Sequence, residues 1–156
     1  MKEISFRKKS IEICILKVKK LTSQKLKLSV NMSKHKFVSE FSFKTSPKVI
    51  YNYISSPGGL QQWFATQVSV DSNHNFVIEW DGGKHLAVVT KKLNKSARYD
   101  FQGEDEGNSL ELKLVLGELD GSTYLEVTDI SDNDDDDELQ DLWDGLIADL
   151  KDIVGG

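Results

Sequence analysis

The chain has one cysteine, Cys14, two prolines and no long apolar run. A lone cysteine excludes a disulfide framework and any zinc site built on several thiolates. It fits a reducing compartment, and the expected location is the cytoplasm. No stretch approaches the roughly 18 apolar residues that span a bilayer, so no membrane span is expected. The histidines, His35, His74 and His85, show no HxxxH spacing, and CxxC is absent. There is no phosphate-cradling glycine loop and no nucleophile elbow. The chain is therefore expected not to be an enzyme, with no catalytic residues, metal or cofactor.

What is present suits one domain. The 156 residues, 38% apolar and 29% charged, are enough to build a core without covalent staples. The net charge of −5 hides a division. Residues 1–31 carry nine Lys/Arg against two Asp/Glu, a net +7, while residues 32–156 carry eleven against twenty-three, a net −12. An acidic body repels phosphate backbones, so no nucleic-acid partner is expected. The basic segment 1–31 has three readings. As a signal peptide it is poor, because Glu12 and Lys17 bracket only ICIL. It has the charge of a basic amphipathic arm. The preferred reading is a disordered extension or a mis-assigned start, with the domain running over 32–156 from Met32, where the charge changes sign.

From there the patterning is clear. KFVSEFSF places Phe37, Ser39, Phe41 and Phe43 on one face of a strand. Ser46-Pro47 and Ser56-Pro57 are successive helix starts, each an N-cap with a proline at the first helical position. The spacing predicts a short helix over 47–54 with Val49, Ile50 and Tyr53 inward. A second follows, with Leu60, Trp63 and Phe64 on one face. Pro57 bars the first helix from continuing, and Gly58-Gly59 let the chain turn. Six strands follow: TQVSVDS, NFVIEW, HLAVVTKKL, ARYDF, SLELKLVL (Leu110, Leu112, Leu114 and Leu116 on one face) and TYLEVTDI. Asp81-Gly82-Gly83 marks a hairpin, and QGEDEGN reads as a polar, solvated turn. The chain closes on a long amphipathic helix carrying Leu139, Leu142, Trp143, Leu146, Ile147, Leu150, Ile153 and Val154. Its aspartates sit at the positive end of the helix dipole, Lys151 sits late, and Gly155-Gly156 stops it.

The pattern SP…Y..IS.P.GL..WF in TSPKVIYNYISSPGGLQQWFA, with FVIEWDG and the acidic lead into LWDGLIADLKDIVG, resembles the START-like superfamily. More narrowly, residues 34–154 are similar to bacterial START-like proteins related to the activator-of-heat-shock-protein-90-ATPase homologue group. The resemblance implies a helix-grip α+β fold. That is a curved antiparallel sheet of about seven strands round a long C-terminal helix, with two short helices after the first strand. It also implies a cavity between sheet and helix for a small apolar or amphipathic ligand. The candidate ligand-binding residues are Tyr53, Leu60, Trp63, Phe64, Trp80, Tyr99, Phe101, Trp143 and Leu146. Trp63 and Trp143 lead because each has an N–H able to orient a ligand, and the proline and glycines before Trp63 suggest a gate. The alternative is an interaction module, similar to the chaperone activators, whose acidic surface docks a basic protein partner.

Other chemistry has weaker support. His35 and His74 read as solvated, and His85 as a satisfied strand histidine. An enzyme would need a buried acid–base pair, for which only His85, Glu79 and Asp100 are available. The acidic run from Asp132 fails as a calcium loop, because its sixth and twelfth positions are Asp137 and Trp143 where glycine and glutamate are required.

Overall fold

A computed structural model describes residues 33–80 and 82–156. The expectations for residues 1–31, and the boundary at Met32, lie outside the described residues. Among the described residues seven strands form one sheet: β1 (His35–Phe43), β2 (Gln67–Val70), β3 (Phe76–Trp80), β4 (Gly83–Lys92), β5 (Ser96–Phe101), β6 (Ser109–Leu116) and β7 (Thr123–Ser131). The helices are α1 (Pro47–Ser55), α2 (Pro57–Trp63) and α3 (Asp136–Val154). The sheet order is β1-β7-β6-β5-β4-β3-β2, with every neighbouring pair antiparallel. Strands β1 and β2 are therefore opposite edges, and α1 and α2 carry the chain from one edge to the other. This is the helix-grip α+β arrangement.

Period-two alternation decides which side of the sheet is buried. Phe76, Ile78 and Trp80 of β3, Leu110, Leu112 and Leu114 of β6, and Leu125 and Val127 of β7 are all buried. Helix α3 lays Leu139, Trp143, Leu146, Ile147 and Leu150 into the same core. These fall at i, i+4, i+7, i+8 and i+11, one stripe of a 3.6-residue helix. Its start is capped by Asp135, whose side chain accepts from Glu138 N at 3.0 Å. Three acidic residues occupy the first turn, where the helix dipole favours them. Gly155, at φ +91°, ends the helix in the left-handed region. The helix end is tied back to the β1–α1 connection, with Thr45 Oγ1 donating to Val154 O at 2.9 Å.

Several local expectations are corrected. Ser46 sits at the α1 N-cap but makes no side-chain cap bond; its carbonyl instead accepts from Val49 N and Ile50 N. The buried face of α1 is Ile50, Tyr51 and Ile54, whereas Val49 is 41% exposed and Tyr53 only partly buried. Leu116, at the far end of β6, is 60% exposed because the core stops short of it. His35 stays partly exposed, its Nε2 2.7 Å from Asp136 Oδ1 in a surface pair.

The Pro-Gly-Gly step now has a physical cause. Pro57 starts α2, and Ser56 Oγ accepts from Gly59 N at 3.0 Å while donating to Asn52 O at 2.6 Å. Helix α2 thereby presses its first turn against the end of α1. A Cβ on Gly59 would lie 2.3 Å from Asn52 O and 2.6 Å from Tyr53 Cα, whereas one on Gly58 would meet nothing within 4 Å. Gly59→Ala is expected to destabilise the protein by about 1–3 kcal/mol, the range for overpacking. Gly58→Ala is expected to be neutral or to stabilise by up to about 1 kcal/mol. Urea unfolding of the two variants checks this, and equal losses would show that the close approach is not what requires the glycine.

Candidate functional site

The ends of α1 and α2 are buried, so the carbonyls freed at each helix terminus need donors. Aromatic side chains supply them. Trp63 Nε1 donates to Tyr53 O at 2.9 Å, Tyr99 OH donates to Ile54 O, and Trp80 Nε1 donates to Phe64 O at 2.9 Å. Burial pushes the Tyr99 phenol above its ordinary pKa, so it stays a neutral donor. Trp63 is fully buried, and its N–H is committed to α1. The side chain expected to act as a gate is a bolt between the two short helices.

Beyond this packed region the sheet and α3 separate enough to leave a cavity of about 110 Å³. Phe64, Trp80 and Phe101 line it from the α2–β2 connection and the sheet, and Leu139, Leu142, Trp143 and Leu146 line it from α3. Phe64 organises the aromatic wall, edge-on to Trp80 with centroids 5.5 Å apart and stacked on Trp143 at 6.0 Å. Five of the nine candidate residues therefore line the cavity: Phe64, Trp80, Phe101, Trp143 and Leu146. Tyr53, Leu60, Trp63 and Tyr99 belong instead to the packed region between the short helices and the sheet.

The cavity also has a polar end. His85 is 5% exposed, and its Nδ1 lies 2.7 Å from Asp105 Oδ2, with the two rings of Trp80 and His85 4.8 Å apart. A part-buried acid–base pair therefore exists, but His85 pairs with Asp105 and not with Glu79 or Asp100. Asp100 lies on the sheet surface, where it accepts from Arg98. Asp105 belongs to a short 3₁₀ turn, Gly103–Asp105, inside the segment expected to be a solvated loop. The loop folds back: Asn108 N donates to Asp105 O at 3.0 Å, and both residues line the cavity. Asn108 Oδ1 is buried without a hydrogen-bond partner among the described residues.

Asp129 lies opposite Phe37 of β1 and Leu110 of β6, at the buried parity of β7. Its Oδ2 accepts from Trp143 Nε1 at 3.1 Å, so the second tryptophan N–H is also in use. Desolvation raises the Asp129 pKa, opposed by the Trp143 hydrogen bond and by His35. Two signals for the polar end were visible in the strands. His85 shares the parity of buried Ala87, and Asp129 that of buried Leu125 and Val127, so each is a polar residue on an apolar face. No local signal joins Asp105 or Asn108 to them.

The sequence matches the START-like superfamily domain over residues 31–156. The chain belongs to the START-like superfamily. Among solved structures, the START-like domain is similar to the Aha1 dimer of Colwellia psychrerythraea, at 21% identity over 77% of this chain and 96% of that one, with a TM-score of 0.63. A Mesorhizobium loti protein is 16% identical over 78% of this chain and 97% of its own, also at a TM-score of 0.63. A Bacillus halodurans protein is 16% identical over 79% of this chain and 99% of its own, at 0.61. At these identities the likeness is one of fold. No curated protein matches the chain. Among the described residues no group of acidic, histidine or cysteine side chains is arranged to hold a metal, and no helix is long and apolar enough to cross a membrane.

The raised pKa of Asp129 has a measurable consequence. A carboxyl whose pKa is higher folded than unfolded contributes most to stability below its ordinary value, here 3.8. That contribution is lost as pH rises through the raised folded value. Asp129→Asn keeps an acceptor for Trp143 and does not titrate. Wild type is expected to lose stability relative to this variant as pH rises from about 3.8 upward, then to level off. Paired denaturant unfolding across pH checks the sign, and a difference that stays flat would show that Asp129 ionises as freely in the fold as in the unfolded chain.

Proposed function

We propose that this START-like domain binds a small apolar or amphipathic molecule in the cavity between the sheet and α3. The observation that carries the reading is a cavity with an aromatic and aliphatic wall and a few convergent polar groups at one end, the usual composition of a small-molecule site. Superfamily membership supports it as well, since the fold is commonly a binding fold. The nine residues expected from sequence divide accordingly: Phe64, Trp80, Phe101, Trp143 and Leu146 are assigned to ligand contact. Tyr53, Leu60, Trp63 and Tyr99 are assigned to holding α1 and α2 against the sheet.

Native mass spectrometry of the purified protein is expected to show a small-molecule adduct released on unfolding, or saturable binding of added apolar probes. Leu142 is a half-buried part of the α3 wall, so Leu142→Trp is expected to fill the cavity. It should weaken probe binding by at least about tenfold, roughly 1.4 kcal/mol, while the protein stays folded. A protein adduct in place of a small molecule, with no probe bound, would favour the docking alternative and overturn the cavity reading.

A further inference from the structure

The cavity's size, charge and hydrogen-bonding polarity together restrict its occupant, an inference that rests on the binding reading above. At about 110 Å³ it is near the about 150 Å³ of an apolar cavity that holds one benzene ring. It is well below the roughly 300–1,000 Å³ of ordinary ligand pockets. One ring fills that volume, and an acyl chain or a four-ring sterol is too large to be contained in it.

Charge removes another group. Among the described residues that line it there is no Lys or Arg, whereas Asp105 and Asp129 are both present. A carboxylate or phosphate ligand would be desolvated beside two acids with no Lys or Arg of the described lining to pair with it.

Polarity then selects among neutral rings. In the form that carries a single N–H, on Nδ1 toward the carboxylate, His85 leaves a lone pair on Nε2. That nitrogen has no hydrogen-bond partner among the described residues. Asn108 Oδ1, held by the same loop as Asp105, is a second acceptor short of a donor. The acceptors without a partner at this end are His85 Nε2, which faces open space, and Asn108 Oδ1, which is buried, where an unmet acceptor is costly.

We propose that the occupant is a compact, neutral aromatic alcohol of the phenol class, its ring among Phe64, Trp80, Phe101 and Trp143 and its hydroxyl donated to His85 Nε2. Asp105 is the positioning residue, holding the imidazole in the tautomer that accepts.

The test titrates the full-length protein at neutral pH with phenol, toluene, benzoate, benzylammonium and laurate, following tryptophan fluorescence. Phenol is expected to bind roughly 3- to 10-fold tighter than toluene, the increment of one net hydrogen bond. Benzoate and laurate are expected not to saturate. His85→Leu should bring phenol down to the toluene level and leave toluene unchanged. If that variant does not fold, imidazole ¹⁵N shifts of wild type decide. Phenol should move the Nε2 resonance of His85, and toluene should not. Equal affinity for phenol and toluene, or an Nε2 that does not respond, overturns the hydroxyl assignment. Tighter binding of benzoate, benzylammonium or laurate overturns the neutral-ring class while leaving a binding cavity. Failure of every probe, together with no native adduct, removes the binding function itself.

Discussion

The fold depends on donors for the carbonyls at the buried end of α1. Pro57 forces that helix to stop, and α2 packs against its last turn, where Ile54 and Ser55 are buried. Asn52, Tyr53 and Ile54 then accept from Ser56 Oγ, Trp63 Nε1 and Tyr99 OH. Phe64 O, at the end of α2, accepts from Trp80 Nε1. Each such bond is worth about 0.5–1.5 kcal/mol net, and leaving its carbonyl unmet in the core costs more. These bonds run from two short helices to each other and to β3 and β5. They hold the helical segment against the sheet and so place Phe64 where it meets Trp80 and Trp143.

The cavity follows from that placement. Where α1 and α2 press on the sheet, the interior is filled by Ile50, Ile54, Leu60, Trp63 and Tyr99. Towards the N-terminal half of α3 only the end of α2 reaches, through Phe64, and the space is bounded by aromatic faces and by His85, Asn108 and Asp129. A closed apolar core has no use for an acid on its inner face, because burial opposes ionisation. Asp129 is tolerated there through the Trp143 N–H, and His85 through Asp105. Among these polar groups, Asn108 Oδ1 and His85 Nε2 have no partner among the described residues, which supports the binding reading.

Much of the architecture was legible in the chain. Alternation in FVIEW and SLELKLVL identifies half-buried strands, and the i, i+4, i+7 series from Leu139 identifies a helix with one apolar face, since both patterns are local. Their failures are local as well. Leu116 continues the alternation of β6 past the point where anything covers it, and Val49 has the right spacing for a helix whose buried face is turned to Tyr51 instead. The histidine at 85 and the aspartate at 129 were readable as polar residues at apolar parity, but nothing nearby in the chain says what they face.

By itself, then, the sequence determined the element order, the strand faces, the breaks at Pro57 and Gly155, and the aromatic supply of the interior. Those properties depend on side-chain period and backbone sterics within a few residues. Tertiary structure alone decided which aromatics line a cavity and which close the helix ends. Trp63 and Trp143 are equivalent as sequence, each a tryptophan on an amphipathic helix. One meets the end of α1 and the other meets Asp129 across the sheet. The pairing of His85 with Asp105 spans twenty residues and depends on a loop folding back over the strand ends. Contacts of that kind are set by how the sheet and helices close on one another, and no local periodicity encodes them.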